Sequence, residues 1–228
     1  MSKSIPALFA LLLLSPLPVM ADESEDDEPA PDLHPQALAS ESDVVALVQV
    51  DRTNYERRRG APVAGTAWLD VLLPYKVQSP VDRIRVVEEG FGEDRCYFDD
   101  VPLWAEQPRY LVFLKAIERG DFQGHRSTCK LQVLVTADNR YAVRWPQDEL
   151  HLNEADEAMI QTLDFVGPGS WIDVSEMTSI RLNDLRQRYR LEDAGDGRYR
   201  YTRGILLEDF RNLLGAENLT VDRQRLGR

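Results

Sequence analysis

Lysine is nearly missing from this chain of 228 residues: only Lys3, Lys76, Lys115 and Lys130 stand against twenty-three arginines. Cysteine is limited to Cys96 and Cys129, and histidine to His34, His125 and His151. These shortages exclude several chemistries. The cysteines form no C-x-x-C, the motif of a thiol–disulfide exchanger. No two histidines stand four residues apart or close to a cysteine, so there is no zinc motif. A serine nucleophile elbow needs G-x-S-x-G, and Gly167-Pro168-Gly169-Ser170-Trp171 runs on to Ile172 where glycine is required. Glu192 to Gly197 has the turn glycine of a calcium loop, but Ala194 and Arg203 fill the third and twelfth positions, which need oxygen ligands. Gly90-Phe91-Gly92 lacks a following Lys-Ser or Lys-Thr and reads as a turn. Acid pairs such as Glu88-Glu89 and Asp99-Asp100 arise freely among 39 carboxylates. No catalytic residue, metal ligand or cofactor is therefore assigned.

Long apolar runs are absent too, with one exception. Ile5 to Leu17 is leucine-rich, follows Lys3, and is broken by Pro16 and Pro18. It is shorter than the roughly 20 residues a bilayer span needs. Residues 1–21 are read as a cleavable export leader, cut between Ala21 and Asp22. The expected location is the periplasm or the exterior, with no stable membrane anchor after cleavage. In an oxidising compartment, an even pair of cysteines is most simply a disulfide, Cys96 to Cys129.

What remains is acidic. The net charge is −12, which works against nucleic acid and anionic surfaces at long range. The charge is uneven: residues 166–228 hold eleven arginines against ten acids, and nearly all the excess acid lies before them. Residues 22–32 carry seven acids and two prolines with nothing to bury, and are read as a disordered linker. The alternation Arg198-Tyr199-Arg200-Tyr201 suits single-stranded nucleic acid. The overall charge argues instead for an exposed strand, and no nucleic-acid partner is expected.

From residue 33 the pattern is mostly strand. A short helix over 33–42 leads into Val44 to Val50, an apolar run of strand length. Asn54 to Gly65 reads as a loop or frayed hairpin. Thr66 to Lys76 alternates, with Ala67, Leu69, Val71 and Leu73 on one side. Further strands are predicted at 81–87, 96–98 and 109–115, then a hairpin from 130–136 to 141–145 through Asp138-Asn139. Beyond Pro146, helices are predicted over 154–163, capped by Asn153, from Asn183 or Asp184 to Arg190, and over 206–214, stopped by Gly215.

Short alternating strands joined by turns and enclosing a cysteine pair point to a small barrel. The segments Ser42-Asp43-Val44-Val45-Ala46-Leu47-Val48, Leu69-Asp70-Val71-Leu72-Leu73-Pro74-Tyr75-Lys76, Val86-Val87-Glu88-Glu89-Gly90 and Arg109-Tyr110-Leu111-Val112-Phe113-Leu114, with Cys96 and Cys129 among them, resemble exported bacterial relatives of the netrin/TIMP-like OB-fold domain. The likeness covers about residues 36–146 and implies that the cysteines pin the barrel. Animal TIMPs chelate a target's zinc through cysteines at the mature amino terminus. Here that start is Asp22-Glu23-Ser24, so the mechanism does not carry over.

The expected fold is mainly β, an OB-like closed or partly open barrel over residues 33–146, with an α/β carboxy-terminal extension over 147–228 packed on it. The expected function is binding, with an unidentified protein or small-molecule ligand as partner. Two alternatives differ in class. One is a hydrolase whose residues, His125 or His151 among them, converge only in the fold. The other is a protease inhibitor acting through a loop.

Overall fold

The computed structural model describes residues 33–90, 95–98, 107–126, 128–147, 150–174, 177–195 and 197–219. The leader, its cut between Ala21 and Asp22, the acidic linker and Phe91-Gly92 lie outside the described residues.

A short helix, α1 (Pro35–Glu41), opens the fold. Pro35 is preorganised for its first turn, and the His34 ring accepts a hydrogen bond from the Gln36 N–H. Five strands follow: β1 (Val44–Arg58), β2 (Ala61–Lys76), β3 (Arg83–Glu89), β4 (Arg109–Ala116) and β5 (Phe122–Gly124). Antiparallel pairing joins β1 to β2, β2 to β3, β5 to β4 and β4 back to β1. The remaining contact, β3 with β5, is parallel and runs through Val86 and Phe122. The sheet thus closes in the order β1-β2-β3-β5-β4-β1, an OB-like barrel.

Closure explains the apolar run in β1. Val44, Ala46, Val48 and Val50 fill the barrel, while Val45 and Leu47 enter a second core on its outside. In β4, Tyr110, Val112 and Leu114 point inward and Leu111 and Phe113 outward. β4 and the first half of β1 are buried on two faces, so neither alternates with polar residues there.

The stretch Asn54 to Gly65, expected as a loop or a frayed hairpin, is the far end of the β1–β2 hairpin and is paired to its tip. Its alternation of polar and half-buried residues conceals strand character, because one face meets solvent. The turn is reduced to Arg59 and Gly60, both with positive φ (52° and 87°), as a two-residue hairpin turn requires. Gly65 is needed in β2, since a Cβ there would lie 2.1 Å from the Asn54 carbonyl oxygen. The expected facing of Leu73 also fails. Leu72 is an extra residue between the pairs Leu47–Leu73 and Val48–Val71, and both leucines are exposed.

Cys96 and Cys129 are joined by a disulfide with Cα atoms 6.0 Å apart. Residues 96–98 are not the expected strand. They are a buried irregular segment, held by the Phe98 N–H donating to the Tyr55 hydroxyl oxygen (3.0 Å) and by Tyr97 donating to the Gly90 carbonyl (2.8 Å).

Past β5 the chain continues along the same edge of β4. The Phe113 carbonyl accepts from His125 N–H, and Phe113 N–H donates to the Cys129 carbonyl. The next strand, β6 (Lys130–Thr136), then pairs with the first half of β4. One edge of β4 therefore closes the barrel and begins an extension. β6 turns through Asp138-Asn139 into β7 (Tyr141–Arg144), as expected.

The expected helix over 154–163 shrinks to a single turn, α2 (Glu154–Glu157), capped by Asn153. Two short strands follow, β8 (Gln161–Thr162) and β9 (Phe165–Val166), and Leu163 packs with Phe165 against Leu134, Ala142 and Leu206. A small sheet contains β10 (Trp171–Asp173) and, after helix α3 (Ser179–Tyr189), β11 (Glu192–Gly195) and β12 (Arg198–Arg200). α3 begins earlier than expected because Thr178 caps it through the Arg181 N–H. β13 (Arg203–Leu206) joins β7 and β8 and feeds α4 (Leu207–Leu213).

α1 and α4 cover the outer core. Leu38, Val45, Leu47, Leu111, Phe113, Ile205, Phe210 and Leu213 meet there, so residues from both ends of the chain share one interior. Each large apolar side chain fully buried in it contributes about 1.5–3 kcal/mol.

Candidate functional site

A bulge in β1 creates the most distinctive surface of the barrel. Val50 pairs with Leu69 and Arg52 with Trp68, so Asp51 is an extra residue. Its insertion turns Arg52 outward opposite Trp68, and Trp68 pairs in turn with Arg85 of β3. Arg52, Trp68 and Arg85 thus form a row across three strands.

The Arg52 guanidinium lies 4.4 Å over the indole centroid. Arg85 is clamped by Asp121, its Nε donating to Oδ1 at 2.6 Å and a second nitrogen to Oδ2. That pairing holds the Asp121 carboxyl below the usual carboxylate range and raises the arginine. In the next row, Arg83 donates to Asp70 at 2.8 Å and reaches Asp51 at 3.3 Å. Arg83 and Arg85 are therefore matched by acids, whereas Arg52 rests on the ring. The geometry preorganises planar donors beside an aromatic surface.

Two connections flank this face. The hairpin tip presents Arg57, Arg58 and Arg59, all exposed. It is rooted on the inner side by Tyr55, whose ring meets Tyr97 edge-on at 5.1 Å between centroids. At the opposite end, the turn between β4 and β5 carries Asp121, the partner of Arg85. In OB barrels the β2–β3 face and these two connections are the usual ligand surface.

The histidines occupy other places. His34 meets Asp156 at 3.0 Å, and His151 is exposed. His125 meets Glu41 at 2.6 Å, and Arg126 reaches the same carboxylate oxygen at 2.7 Å. The His125 hydrogen bond is the main reason that the Glu41 carboxyl lies below its ordinary range. Beside Glu41 opens a cleft of about 500 Å³ lined by Ser40, Ser42, Asp43, Lys76 and Lys115. Its hydroxyls are committed elsewhere: Ser40 donates to the Ala37 carbonyl and Ser42 to that of Leu38. Lys76 likewise spends two donors on the carbonyls of Ala39 and Ser40. The cleft has no activated nucleophile among the described residues. Ser170 is a buried turn residue donating to the Gly167 carbonyl at 2.6 Å, in line with its loop reading. Among the described residues, no three of His, Cys, Asp and Glu gather to hold a metal ion.

One buried acid stands apart. Glu88 is 2 % exposed at the edge of the barrel interior and accepts a hydrogen bond from the Gly124 N–H at 2.7 Å. Burial raises its carboxyl above the ordinary value of 4.5. The folded state thus holds the proton to higher pH than the unfolded chain. This contribution to stability is complete below about pH 4.5 and is lost as the pH rises through the folded value. Glu88→Gln removes that titration. Urea denaturation at pH 4 and pH 7 should show the parent losing more stability than the variant between them. Parallel losses would refute the assignment.

No family model, curated protein or solved structure matches this chain.

The face described above is therefore read from its own residues. Sequence alternation already separated Trp68 from Ala67 and Leu69, and Arg83 and Arg85 from Ile84 and Val86. Arg52 was missed, because the bulge that turns it outward has no signature in the sequence. Among the described residues, no helix is long and apolar enough to cross a membrane, and the disulfide fits an oxidising compartment.

Proposed function

We propose that this protein is an exported binding module whose β2–β3 face engages a protein partner. The observation that carries the reading is the row Arg52–Trp68–Arg85. Tryptophan and arginine dominate the energetics of protein interfaces, and acids around them form a charged rim. The row belongs to hydrogen-bonded strands of the closed barrel, so little order has to be gained on binding. The strand order also fits the likeness to exported netrin/TIMP-like OB-fold proteins, and the leader-like segment and the disulfide favour export.

The other readings find less support. A hydrolase centred on His125 would need a nucleophile, and the nearby serine hydroxyls are turned towards helix carbonyls. A substrate-like inhibitory loop would have to be extended, whereas the projecting tip turns through left-handed backbone at Arg59 and Gly60.

Capture from a cell-envelope extract tests the proposal. The parent should retain a specific partner, and Trp68→Ala should weaken retention by at least about 2 kcal/mol, or some thirtyfold. Undiminished capture by Trp68→Ala would remove this face from the reading.

A further inference from the structure

Lysine is scarce in this chain, yet two of its four lysines, Lys76 and Lys115, face one cleft. It is the space of about 500 Å³ beside α1, within the size range that holds a small ligand. The barrel builds it at the start of β1. That strand runs between β2 and β4, with Val45 paired to Lys76 on one side and Val44 to Leu114 on the other. Asp43 is therefore set between the end of β2, at Lys76, and Lys115 of β4. The end of α1, at Ser40 and Glu41, supplies a further wall.

The fold leaves donors on both lysines. An ammonium has three N–H groups. Lys76 gives two of them to the carbonyls of Ala39 (2.8 Å) and Ser40 (3.1 Å), which fixes its head at the cleft with one to spare. Lys115 is half-buried and has no hydrogen bond or ion pair among the described residues. Burial holds the Lys76 ammonium below the ordinary lysine range, and the like charge of Lys115 adds to that against an opposing pull from Asp43. The acids of the cleft do not cancel the pair. Glu41 is already answered by His125 and Arg126. Asp43 accepts from the Ala116 N–H through Oδ2 (2.9 Å), and its Oδ1 has no hydrogen bond among the described residues. Two cations thus stand against one unanswered carboxylate, a local excess of positive charge in a chain of net charge −12.

The remaining groups favour a polar occupant. Ser40 has given its proton to the Ala37 carbonyl, so towards the cleft its oxygen can only accept. Asp43 Oδ1 also accepts, and Gln78 can do either. Val77 is the single apolar side chain in the lining, too little for a hydrocarbon tail.

We propose that this cleft binds a small polyhydroxylated carboxylate of the sugar-acid class, its carboxylate bridging Lys76 and Lys115 and its hydroxyls donating to Asp43 and Ser40. The excess of lysine selects the carboxylate, and the ring of acceptors selects the hydroxyls. The negative charge of the chain as a whole is screened beyond about 8–10 Å and does not decide contact at the lysines. The cleft lies at the opposite end of β1 from the hairpin tip, so it is independent of the protein-binding face on the barrel.

Titration calorimetry of the purified protein with glucuronate tests it. Saturable binding with a Kd of about 1 mM or tighter is expected. Glucose, which lacks the carboxylate, and hexanoate, which lacks the hydroxyls, should each bind at least about tenfold more weakly. Lys115→Met should weaken glucuronate binding about tenfold or more, the loss of one charge-assisted hydrogen bond. Lys115 holds no other group in place, so this variant should melt like the parent. Lys76→Met should weaken binding to a similar degree. Failure of glucuronate to bind, equal binding of glucose or hexanoate, or undiminished binding by a folded Lys115→Met would overturn the proposal. Inorganic phosphate bound as tightly as glucuronate would do the same and mark the lysines as a general anion site.

Discussion

Loss of the Cys96–Cys129 bond is expected to cost about 3–4 kcal/mol, the entropy of closing a loop of this size in the unfolded chain. The native surroundings push in the same direction. Both cysteines are wholly buried in the barrel core with Phe98 and Val112. Gly124 passes so close that a Cβ on it would lie 2.2 Å from the Cβ of Cys96 and 3.1 Å from that of Cys129. The bond therefore fastens the irregular 95–98 segment where the β5 edge bends towards β6. Urea titration of the Cys96→Ala, Cys129→Ala pair should move the midpoint well below that of the parent. Thiol titration should find no reactive sulfur after treatment with reductant in buffer, and two once urea is added. A double variant as stable as the parent would show that the barrel closes without its staple.

Phe113→Ala should destabilise the protein by about 3–5 kcal/mol, the usual cost of removing a wholly buried aromatic side chain. Phe113 has no exposed surface and projects into the outer core with Leu38, Val45 and Phe210. Its backbone also bridges the two halves of the bent edge through His125 and Cys129. The cavity would open where helices from both ends of the chain meet, and neither α1 nor α4 is long enough to fold inward without losing its other contacts. Leu72→Ala, on the exposed bulge, should change stability by no more than about 0.5 kcal/mol. The contrast is measured by the same urea titrations. Similar losses at the two sites would contradict the placement of the core.

The barrel was legible because burial leaves a mark on residue order. The unbroken apolar run in the first half of β1, and the two apolar sets of β4, state that these stretches are covered on both faces. The alternation of Arg83 and Arg85 with Ile84 and Val86 places one face of β3 outside. Other elements were misread where tertiary contacts outweigh local preference. Cys96, Tyr97 and Phe98 look like a strand, but they are buried by the disulfide and by Tyr55 rather than by ladder pairing. Ala155, Ala158, Met159 and Leu163 have helical spacing, yet Leu163 and Phe165 are drawn into the extension and leave a single turn. The bulges at Asp51 and Leu72 reverse which side a residue faces. The candidate face depends on the first of them, so only part of it could be read in advance.

The outer core also sets an order of events during synthesis. Leu38 and Val45 emerge early, but Ile205, Leu207, Phe210 and Leu213, which complete their surroundings, come much later in the sequence. Until residues 205–213 have been made, this outer interior has no far wall, whereas the barrel interior, drawn from residues 44–129, already holds its full set of side chains. The barrel can therefore close first, and the outer core is added to it afterwards. Once the final helix arrives on the far side, it locks the first one in place.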